Sequence, residues 1–343
     1  MSWFDTEGRY PHHVIFSQVN YKRNPDAMPF VASADKKSLE AFAEKIGSLL
    51  SKNGFRREDV AEGDTARLFA LAEKGYIDRD LLFPSQIRAV YFNEPCSLAV
   101  SVGGRDMITI RAILSGAAIS DAKNIASGAE ELLDREIEFA YSDTFGYISA
   151  SPECCGSCAE LSALLYLPSL TEEGEKSSSY LKLLHSGVTL TPFYLDRENS
   201  GDLYYLSHRP SHLCDEGLTV ASLDRLISAV VEGEISRERM ILKEKSKIIA
   251  DSAWRAYGSL LYCRLLSEGE LLSLCSTIRL AISVCDDKSI ALPPVSTVTL
   301  NTLLARTMNY SIISDGGVCA SEEELLSRRA KIVSALLYEK GSA

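Results

Sequence analysis

Three short apolar segments that follow one another closely limit what this chain can fold into. They cover residues 88–92, 98–102 and 107–113, are rich in β-branched and aromatic residues, and in the third Ile108 and Ile110 alternate with other residues. Only a few residues separate neighbouring segments, whereas two parallel strands need a long crossover between them. The spacing therefore predicts an antiparallel meander.

Helical periodicity dominates much of the remaining sequence. Residues 36–52 place apolar side chains on one helix face, with Asp35 as the predicted N-cap and Gly54 as the stop. Residues 120–134 show the same pattern, and the polar residues 171–180 are predicted to form a loop. From about residue 218 the chain is predicted to be almost entirely helical, in the segments 234–266, 268–284, 297–309 and 321–339.

Strands mixed with helices and followed by a helical tail are typical of the α+β class. We therefore expect an antiparallel sheet flanked by helices in a domain of residues 1–233. An α-helical C-terminal domain is expected over residues 234–343.

Charge and composition exclude several classes of function. The net charge of −11 disfavours binding to nucleic acid or to anionic membranes, both of which attract clustered Lys and Arg. No apolar run approaches the ~18 residues of a membrane span, and residues 1–7 lack the features of an export signal. An odd count of nine Cys favours reduced thiols over a disulfide framework, and so a cytoplasmic protein.

Residues 139–170 carry the most specific motif of the chain. Gly146-Tyr147, Pro152, Gly156 and Leu167-Pro168 stand at the spacing found in the nucleotide-site segment of the ATP:guanido phosphotransferases, which this segment resembles. Residues 251–280 resemble the helical tail of the protein-arginine-kinase (McsB-type) branch of that family. The resemblance implies a guanido-kinase, glutamine-synthetase-like catalytic domain followed by an McsB-type helical domain.

The family positions that bind ATP phosphates through arginine are mostly substituted in this chain. Bidentate arginines suit phosphate oxygens, and phosphoryl transfer depends on them for positioning and charge stabilisation. Arg88 still matches a family arginine, although a packing salt bridge is an equally good interpretation for Arg88 and for Arg23. The resemblance places other residue types at the five remaining arginine positions, namely Gln18, Asn20, Thr109, Glu160 and Leu190.

The family positions that act on the guanidinium are substituted as well. A guanidinium has a pKa above ~12, so the family uses carboxylates to orient it and help remove its proton. The resemblance puts Arg105 and Leu195 at the two glutamate positions, although a shift of one residue would offer Asp196 instead of Leu195. Ser151 stands at the position of the family cysteine.

These substitutions predict a catalytically inactive pseudokinase that acts as a scaffold or regulator in protein quality control, with no cofactor. The resemblance implies partners of the McsB system: its zinc-containing activator protein, the Clp unfoldase and an active arginine kinase. It also implies a homodimer. The alternative is an active Mg-ATP-dependent protein-arginine kinase with a rearranged site, which would use Asp106, Asp196, Glu198 and Arg88.

Two further motifs offer other interpretations. Residues 325–330 match the family's phosphoarginine pocket but retain only its second arginine, Arg329, so a pocket remnant or an ordinary helix edge is expected. Cys154, Cys155 and Cys158 form a cluster in which Cys155 and Cys158 are weak metal-ligand candidates, and His212 and Cys214 could complete a tetrahedral site. A metal or redox protein is therefore a second alternative, beside unreactive thiols.

Overall fold

A computed structural model describes residues 2–58, 64–82, 87–173, 187–193, 201–210, 216–242, 245–285 and 290–341. Its centre is an antiparallel sheet of eight strands, and two further strands form a separate small hairpin. The strands are β1 Val14–Arg23, β2 Arg56–Glu58, β3 Ala89–Phe92, β4 Leu98–Val102, β5 Ile108–Ser115, β6 Tyr141–Ser142, β7 Gly146–Tyr147, β8 Ala159–Tyr166, β9 Thr189–Pro192 and β10 Leu203–His208. The large sheet has the order β2-β3-β4-β5-β1-β8-β10-β9, with β6 and β7 forming the hairpin. The predicted meander is confirmed as β3, β4 and β5.

The helices flank the sheet and fill the C-terminal part of the chain. They are α1 Lys36–Lys52, α2 Thr65–Glu73, α3 Ile119–Asp134, α4 Pro168–Glu173, α5 Glu216–Leu242, α6 Ser246–Tyr262, α7 Glu268–Val284, α8 Thr297–Arg306, α9 Asn309–Gly316 and α10 Glu322–Gly341. Asp35 caps α1 as predicted, because its carboxylate accepts the backbone N–H of Ser38 at 3.0 Å. The antiparallel sheet, the helices that flank it and the helical C-terminal region together confirm the expected α+β class.

The sheet separates two hydrophobic cores. Side chains alternate across a strand, so Val19 and Tyr21 of β1 point to one face while Phe16 points to the other. The first face packs against α1, α3 and α5. The second face packs against the N-terminal Trp3 and Phe4 and against helices α6, α7, α8 and α10. The N-terminal segment and the helical tail therefore share one core.

Several predicted boundaries differ from the observed ones. The segment 234–266 was predicted as one helix, but α5 ends at Leu242 and α6 begins at Ser246. Residues 242–246 contain neither Gly nor Pro, so the sequence holds no breaker signal there. The proposed domain boundary at 233 and 234 lies inside α5 and stays a prediction. Of the predicted loop 171–180, only 171–173 are described, and they close α4.

None of the helices in the described ranges is both long enough and apolar enough to cross a membrane.

Candidate functional site

One half of the second sheet face is polar, and it gathers four of the substituted family positions. Gln18 and Asn20 point to this face from the central strand β1. In the ladders, Asn20 lies opposite Arg111 of β5 and opposite Glu160 of β8. Lys22, two residues further along β1, lies opposite Thr109. The structure therefore brings Gln18, Asn20, Thr109 and Glu160 together, beside Lys22 and Arg111, which sequence reasoning did not single out.

A loop after α2 covers this polar half and supplies two carboxylates. The loop turns at Gly75, whose φ of +76° lies in the left-handed region that favours glycine. A Cβ at Gly75 would lie 3.1 Å from Ile113 Cδ1, so the turn packs tightly on the sheet. Arg111 Nη1 donates to the carbonyl of Ile77 at 2.8 Å. These contacts hold Asp78 and Asp80 over the strands.

The two carboxylates pair with the cations of the sheet. Asp78 Oδ2 accepts from Arg111 Nη2 at 3.1 Å and from Asn20 Nδ2 at 3.0 Å. Lys22 Nζ lies 2.5 Å from Asp80 Oδ2 and 3.7 Å from Asp78 Oδ2. Arg105 is half-exposed, and its Nε lies 3.8 Å from Asp80 Oδ1. The cationic groups of the polar half are thus neutralised by aspartates of the same chain.

The pKa values of this cluster favour the charged forms. Burial acts to raise the pKa of Asp78, but the charges of Arg111 and Lys22 outweigh it and hold that pKa below its ordinary value. Burial likewise acts to lower the pKa of Lys22, and the nearby Asp78 and Asp80 reverse this and raise it. Asp78 and Lys22 are therefore both charged at neutral pH.

Beside the cluster lies a cavity of about 260 Å³. Glu160 faces it from β8, and its carboxylate lies 3.7 Å from Arg209 Nη2. Three thiols and the exposed Glu153 form part of the wall. The lining residues are Asn20, Lys22, Glu153, Cys154, Cys155, Ser157, Cys158, Ala159, Glu160, Arg209 and Pro210.

Asp106, the carboxylate of the rearranged-site alternative, is buried in hydrogen bonds. Its Oδ1 accepts from Asn24 Nδ2 at 2.6 Å and from the Ala150 N–H at 2.7 Å, and its Oδ2 accepts from Ser149 Oγ at 2.9 Å. Ser151 closes the same loop, because its N–H donates to Ser149 Oγ at 3.1 Å. A carboxylate with this many donors ties loops together, and only 2% of Asp106 is exposed.

The retained arginines and the later strand positions have different surroundings. Arg23 is buried, donates to Glu130 at 2.6 Å and stacks 3.7 Å from the ring centre of Tyr147, as expected of a packing salt bridge. Arg88 is half-buried just before β3.

Leu190 of β9 points to the opposite, apolar sheet face and packs against the first core, away from the polar half. Leu195, Asp196 and Glu198 lie outside the described residues.

Arg329, which the sequence resemblance assigned to a phosphoarginine pocket, is enclosed by its own fold. It is 1% exposed, and its guanidinium donates to the carbonyls of Thr307 and Leu266, each at 2.8 Å. Arg329 Nη2 also donates to Asn309 Oδ1, and it lies 3.7 Å from Glu268 Oε1. These partners hold Arg329 between helices in the C-terminal core.

The cysteine cluster is a set of thiols with internal partners. Cys158 donates to the Tyr147 carbonyl at 3.2 Å, and Cys155 contacts the backbone of Ser149. Burial raises the pKa of the Cys158 thiol to about 12 and also raises the pKa of Cys154. Within the part of the chain that the structure describes, no three His, Cys, Asp or Glu side chains come together as metal ligands. His212 and Cys214 lie outside that part.

Solved structures with the same fold are guanidino kinases. The chain aligns with the duplicated taurocyamine kinase of Schistosoma mansoni at a TM-score of 0.54 and 17% identity, covering 68% of this chain and 34% of that one. It aligns with a lombricine kinase at a TM-score of 0.55 and 12% identity, covering 68% and 69% of the two chains. The chain therefore spans about a third of the duplicated enzyme, and these likenesses establish the fold.

The sequence comparisons establish the family. The profile of "ATP:guanido phosphotransferase, C-terminal catalytic domain" matches residues 40–237, which is more than half of the chain. The chain belongs to the ATP:guanido phosphotransferase family.

Similar proteins that cover nearly the whole chain are named protein-arginine kinases. The one from Syntrophomonas wolfei is 27% identical over 326 residues, which are 93% of this chain and 89% of that protein. The one from Clostridium novyi is 25% identical over 343 residues, which are 97% of each. The one from Pelotomaculum thermopropionicum is 24% identical over 290 residues, which are 82% of each. The match extends through the helical tail.

Proposed function

We propose that this chain is a protein-arginine-kinase-like protein that transfers no phosphate and acts as a scaffold or regulator in protein quality control. The observation that carries the proposal is the pairing of Asp78 and Asp80 with Arg111 and Lys22. In this arrangement the charges that would attract a polyphosphate are satisfied within the chain.

The polar half of the sheet does not fit Mg-ATP. A phosphate at Lys22 or Arg111 would meet the carboxylates of Asp78 and Asp80, and Glu160 adds a third negative charge beside them. Two like charges ~4 Å apart repel by about 4 kcal/mol at an effective dielectric constant of ~20. Removing the aspartates from their partners would instead leave buried charges uncompensated. Both routes oppose nucleotide binding, so we propose that no cofactor is used.

The family positions that act on the guanidinium also lack their carboxylates in this chain. Arg105 stands at the first glutamate position and is drawn towards Asp80. Asp106 is nearby in sequence, but its carboxylate already accepts three hydrogen bonds in a buried loop. A general base must reach the proton that it removes, and Asp106 would first have to break this loop. The rearranged-site alternative is disfavoured on this ground.

A role without chemistry requires a protein partner. We propose that the partners belong to the same cytoplasmic system as the active relatives: the zinc-containing activator, the Clp unfoldase or an active arginine kinase. We also propose that the chain forms a homodimer through its helical region. Arg329 is not available as a phosphoarginine reader in this proposal, because its donors are used inside the fold.

A thermal-shift titration with Mg-ATP tests the proposal. A ligand that binds only the folded state at ~100 times its dissociation constant stabilises that state by about 2.7 kcal/mol. The melting temperature of this chain should stay unchanged at millimolar Mg-ATP, while an active protein-arginine kinase in the same assay should show an increase. An increase for this chain that saturates with Mg-ATP would favour the active-enzyme alternative.

A further inference from the structure

We infer that helix α9 of the C-terminal helical region is a latch, which acts through helix α2 to hold the loop of Asp78 and Asp80 closed over the polar half of the sheet. The inference deepens the proposed function by naming a regulation of the polar half. It rests on that proposal in one respect, since it takes the two aspartates as the groups that keep anions away. Three observations support it: α2 caps α9, further contacts join the two helices, and the loop is bonded directly to α2.

Helix α9 has no side-chain cap of its own. Its N-cap residue is Met308, which makes no side-chain hydrogen bond to the helix. The carboxylate of Glu73, the last residue of α2, takes that role, because Oε1 accepts the N–H of Tyr310 at 3.0 Å and Oε2 accepts the N–H of Ser311 at 2.8 Å. Free N–H groups and the helix dipole both favour a negative charge at a helix N-terminus. The end of α2 and the start of α9 therefore stabilise each other.

Glu73 depends on these donors because it is largely buried. Burial raises the pKa of Glu73, and the hydrogen bonds from Tyr310 and Ser311 act against that rise. If α9 moved away, the buried carboxylate would lose these donors, and an unsatisfied buried group of this kind is unfavourable. Displacement of α9 would therefore drive the end of α2 towards water.

Two further contacts join the same pair of helices. The ring of Phe69 on α2 stacks on the ring of Tyr310, with the ring centres 4.4 Å apart and the planes inclined by 21°. Arg67 Nη1, near the start of α2, lies 3.8 Å from Asp315 Oδ1, near the end of α9. The two helices thus lie antiparallel and touch at both ends, so we expect them to move together.

The loop that carries the two aspartates follows α2 directly. The N–H of Tyr76 donates to the carbonyl of Leu71 at 2.9 Å, which bonds the start of the loop to the last turn of the helix. Asp78 and Asp80 come only a few residues later and pair with the cations of the sheet. A movement at the end of α2 therefore reaches the groups that close the polar half.

Hydrogen–deuterium exchange on the full chain tests the latch, because it measures how often a segment opens. Glu73→Gln keeps the size of the side chain and removes its charge. In this variant the amides of residues 76–81 should exchange about tenfold faster or more, as for the loss of a charged hydrogen-bond partner. The amides of the meander, residues 89–115, should keep their wild-type rates.

Tyr310→Ala breaks the same contact from the side of the helical tail. It removes the ring that stacks on Phe69, at a residue that is 39% exposed, and should also speed exchange of residues 76–81. Glu44→Gln on α1 and Tyr338→Ala on α10 alter exposed residues and are the matched controls, which should leave the loop unchanged. The Tyr310→Ala result keeps the test decisive if Glu73→Gln folds poorly.

A loop that opens more often should also admit an anion more often. The apparent affinity of a ligand is proportional to the fraction of the protein in the state that binds it. Inorganic tripolyphosphate, titrated by isothermal calorimetry, should therefore bind Glu73→Gln more tightly than the wild type, by about the factor by which loop exchange increases. Glu44→Gln, which removes the same charge elsewhere, should bind it as the wild type does.

Wild-type exchange of residues 76–81 in both latch variants would overturn the inference. An equal increase in residues 89–115 would also overturn it, because the contact would then serve general stability alone. Faster loop exchange with wild-type affinity for tripolyphosphate would show that the loop does not guard the sheet, and the inference would fall. In each of these cases the proposed function stands if Mg-ATP leaves the melting temperature of the wild type unchanged, whereas an increase with Mg-ATP defeats the proposed function itself.

Discussion

Asp78 Oδ2 lies 3.1 Å from Arg111 Nη2, and this contact joins the loop after α2 to the centre of the sheet. Both side chains are largely buried, with 15% and 10% of their surfaces exposed. In a kinase of this family an arginine on such a sheet serves a phosphate. In this chain Arg111 instead holds a loop in place through Ile77 and Asp78.

Replacing Asp78 by Asn should destabilise the fold by about 3–5 kcal/mol, because breaking a buried ion pair leaves the other charge uncompensated. Arg111 would lose its carboxylate partner, and Lys22 would keep only Asp80. Urea unfolding of the variant and of the wild type measures the difference. Asp143→Asn, on the exposed β6–β7 hairpin, is the control and should change stability by less than about 0.5 kcal/mol. Equal stability of the two variants would show that the cluster is not structural.

The decrease in the free energy of unfolding at acid pH should depend on Asp78. Its pKa is lower in the folded chain than its unfolded value of ~3.9. Its stabilising contribution is therefore complete above that unfolded pKa and is lost as pH falls through the lower folded pKa. The stability gap between wild type and Asp78→Asn should be widest above about pH 5 and should narrow towards pH 3, measured by urea unfolding at each pH. A gap that widens on acidification would contradict the assignment.

Much of the fold was predictable from the sequence because local patterns agree with it. The α1 range 36–52 and the α7 range 268–284 were predicted to the residue, since each has a side-chain N-cap at Asp35 or Ser267. The break between α5 and α6 was missed because no Gly or Pro marks it. The observed start of α5 at Glu216 lies close to the predicted start of the helical tail at about residue 218.

The candidate site was only partly predictable. Gln18, Asn20, Thr109 and Glu160, which the family motifs assigned to one site, lie on one surface of the sheet, because strand alternation fixes which side each faces. Asp78 and Asp80 were missed because their partners Lys22, Arg105 and Arg111 are distant in sequence, across a turn that no local pattern describes. The only signal was a pair of aspartates two residues apart after a Gly-terminated helix. Leu190 faces the apolar core, which a motif anchored on distant residues could not resolve.

Arg329 should matter for stability and not for phosphoarginine recognition. Arg329→Met leaves the buried carbonyls of Thr307 and Leu266 without donors, at about 1–3 kcal/mol each. We expect a loss of about 3 kcal/mol or more in chemical unfolding. Arg255→Met, at a side chain 79% exposed, should cost under about 0.5 kcal/mol. Binding of a phosphoarginine peptide that disappears in Arg329→Met alone would argue for a working pocket.

Cys158 should be chemically inert near neutral pH. With a pKa of about 12, its thiolate at pH 8 is scarce, and alkylation should run on the order of a thousandfold slower than for a free cysteine of pKa ~8.5. Iodoacetamide labelling followed by peptide mass spectrometry measures this rate, with the chain denatured in urea as the control. Labelling of the folded chain at the denatured rate would revive a redox or metal role for the cluster.

Mass spectrometry for phosphoarginine shows directly whether this chain transfers phosphate. The purified chain is incubated with Mg-ATP and an arginine-rich protein, with and without the zinc-containing activator, beside an active protein-arginine kinase as the positive control. We predict no phosphoarginine above the level without the chain in either condition, because Asp78 and Asp80 neutralise Arg111 and Lys22. Phosphoarginine that appears with the wild-type chain and exceeds the no-protein level would contradict the account and identify an active kinase.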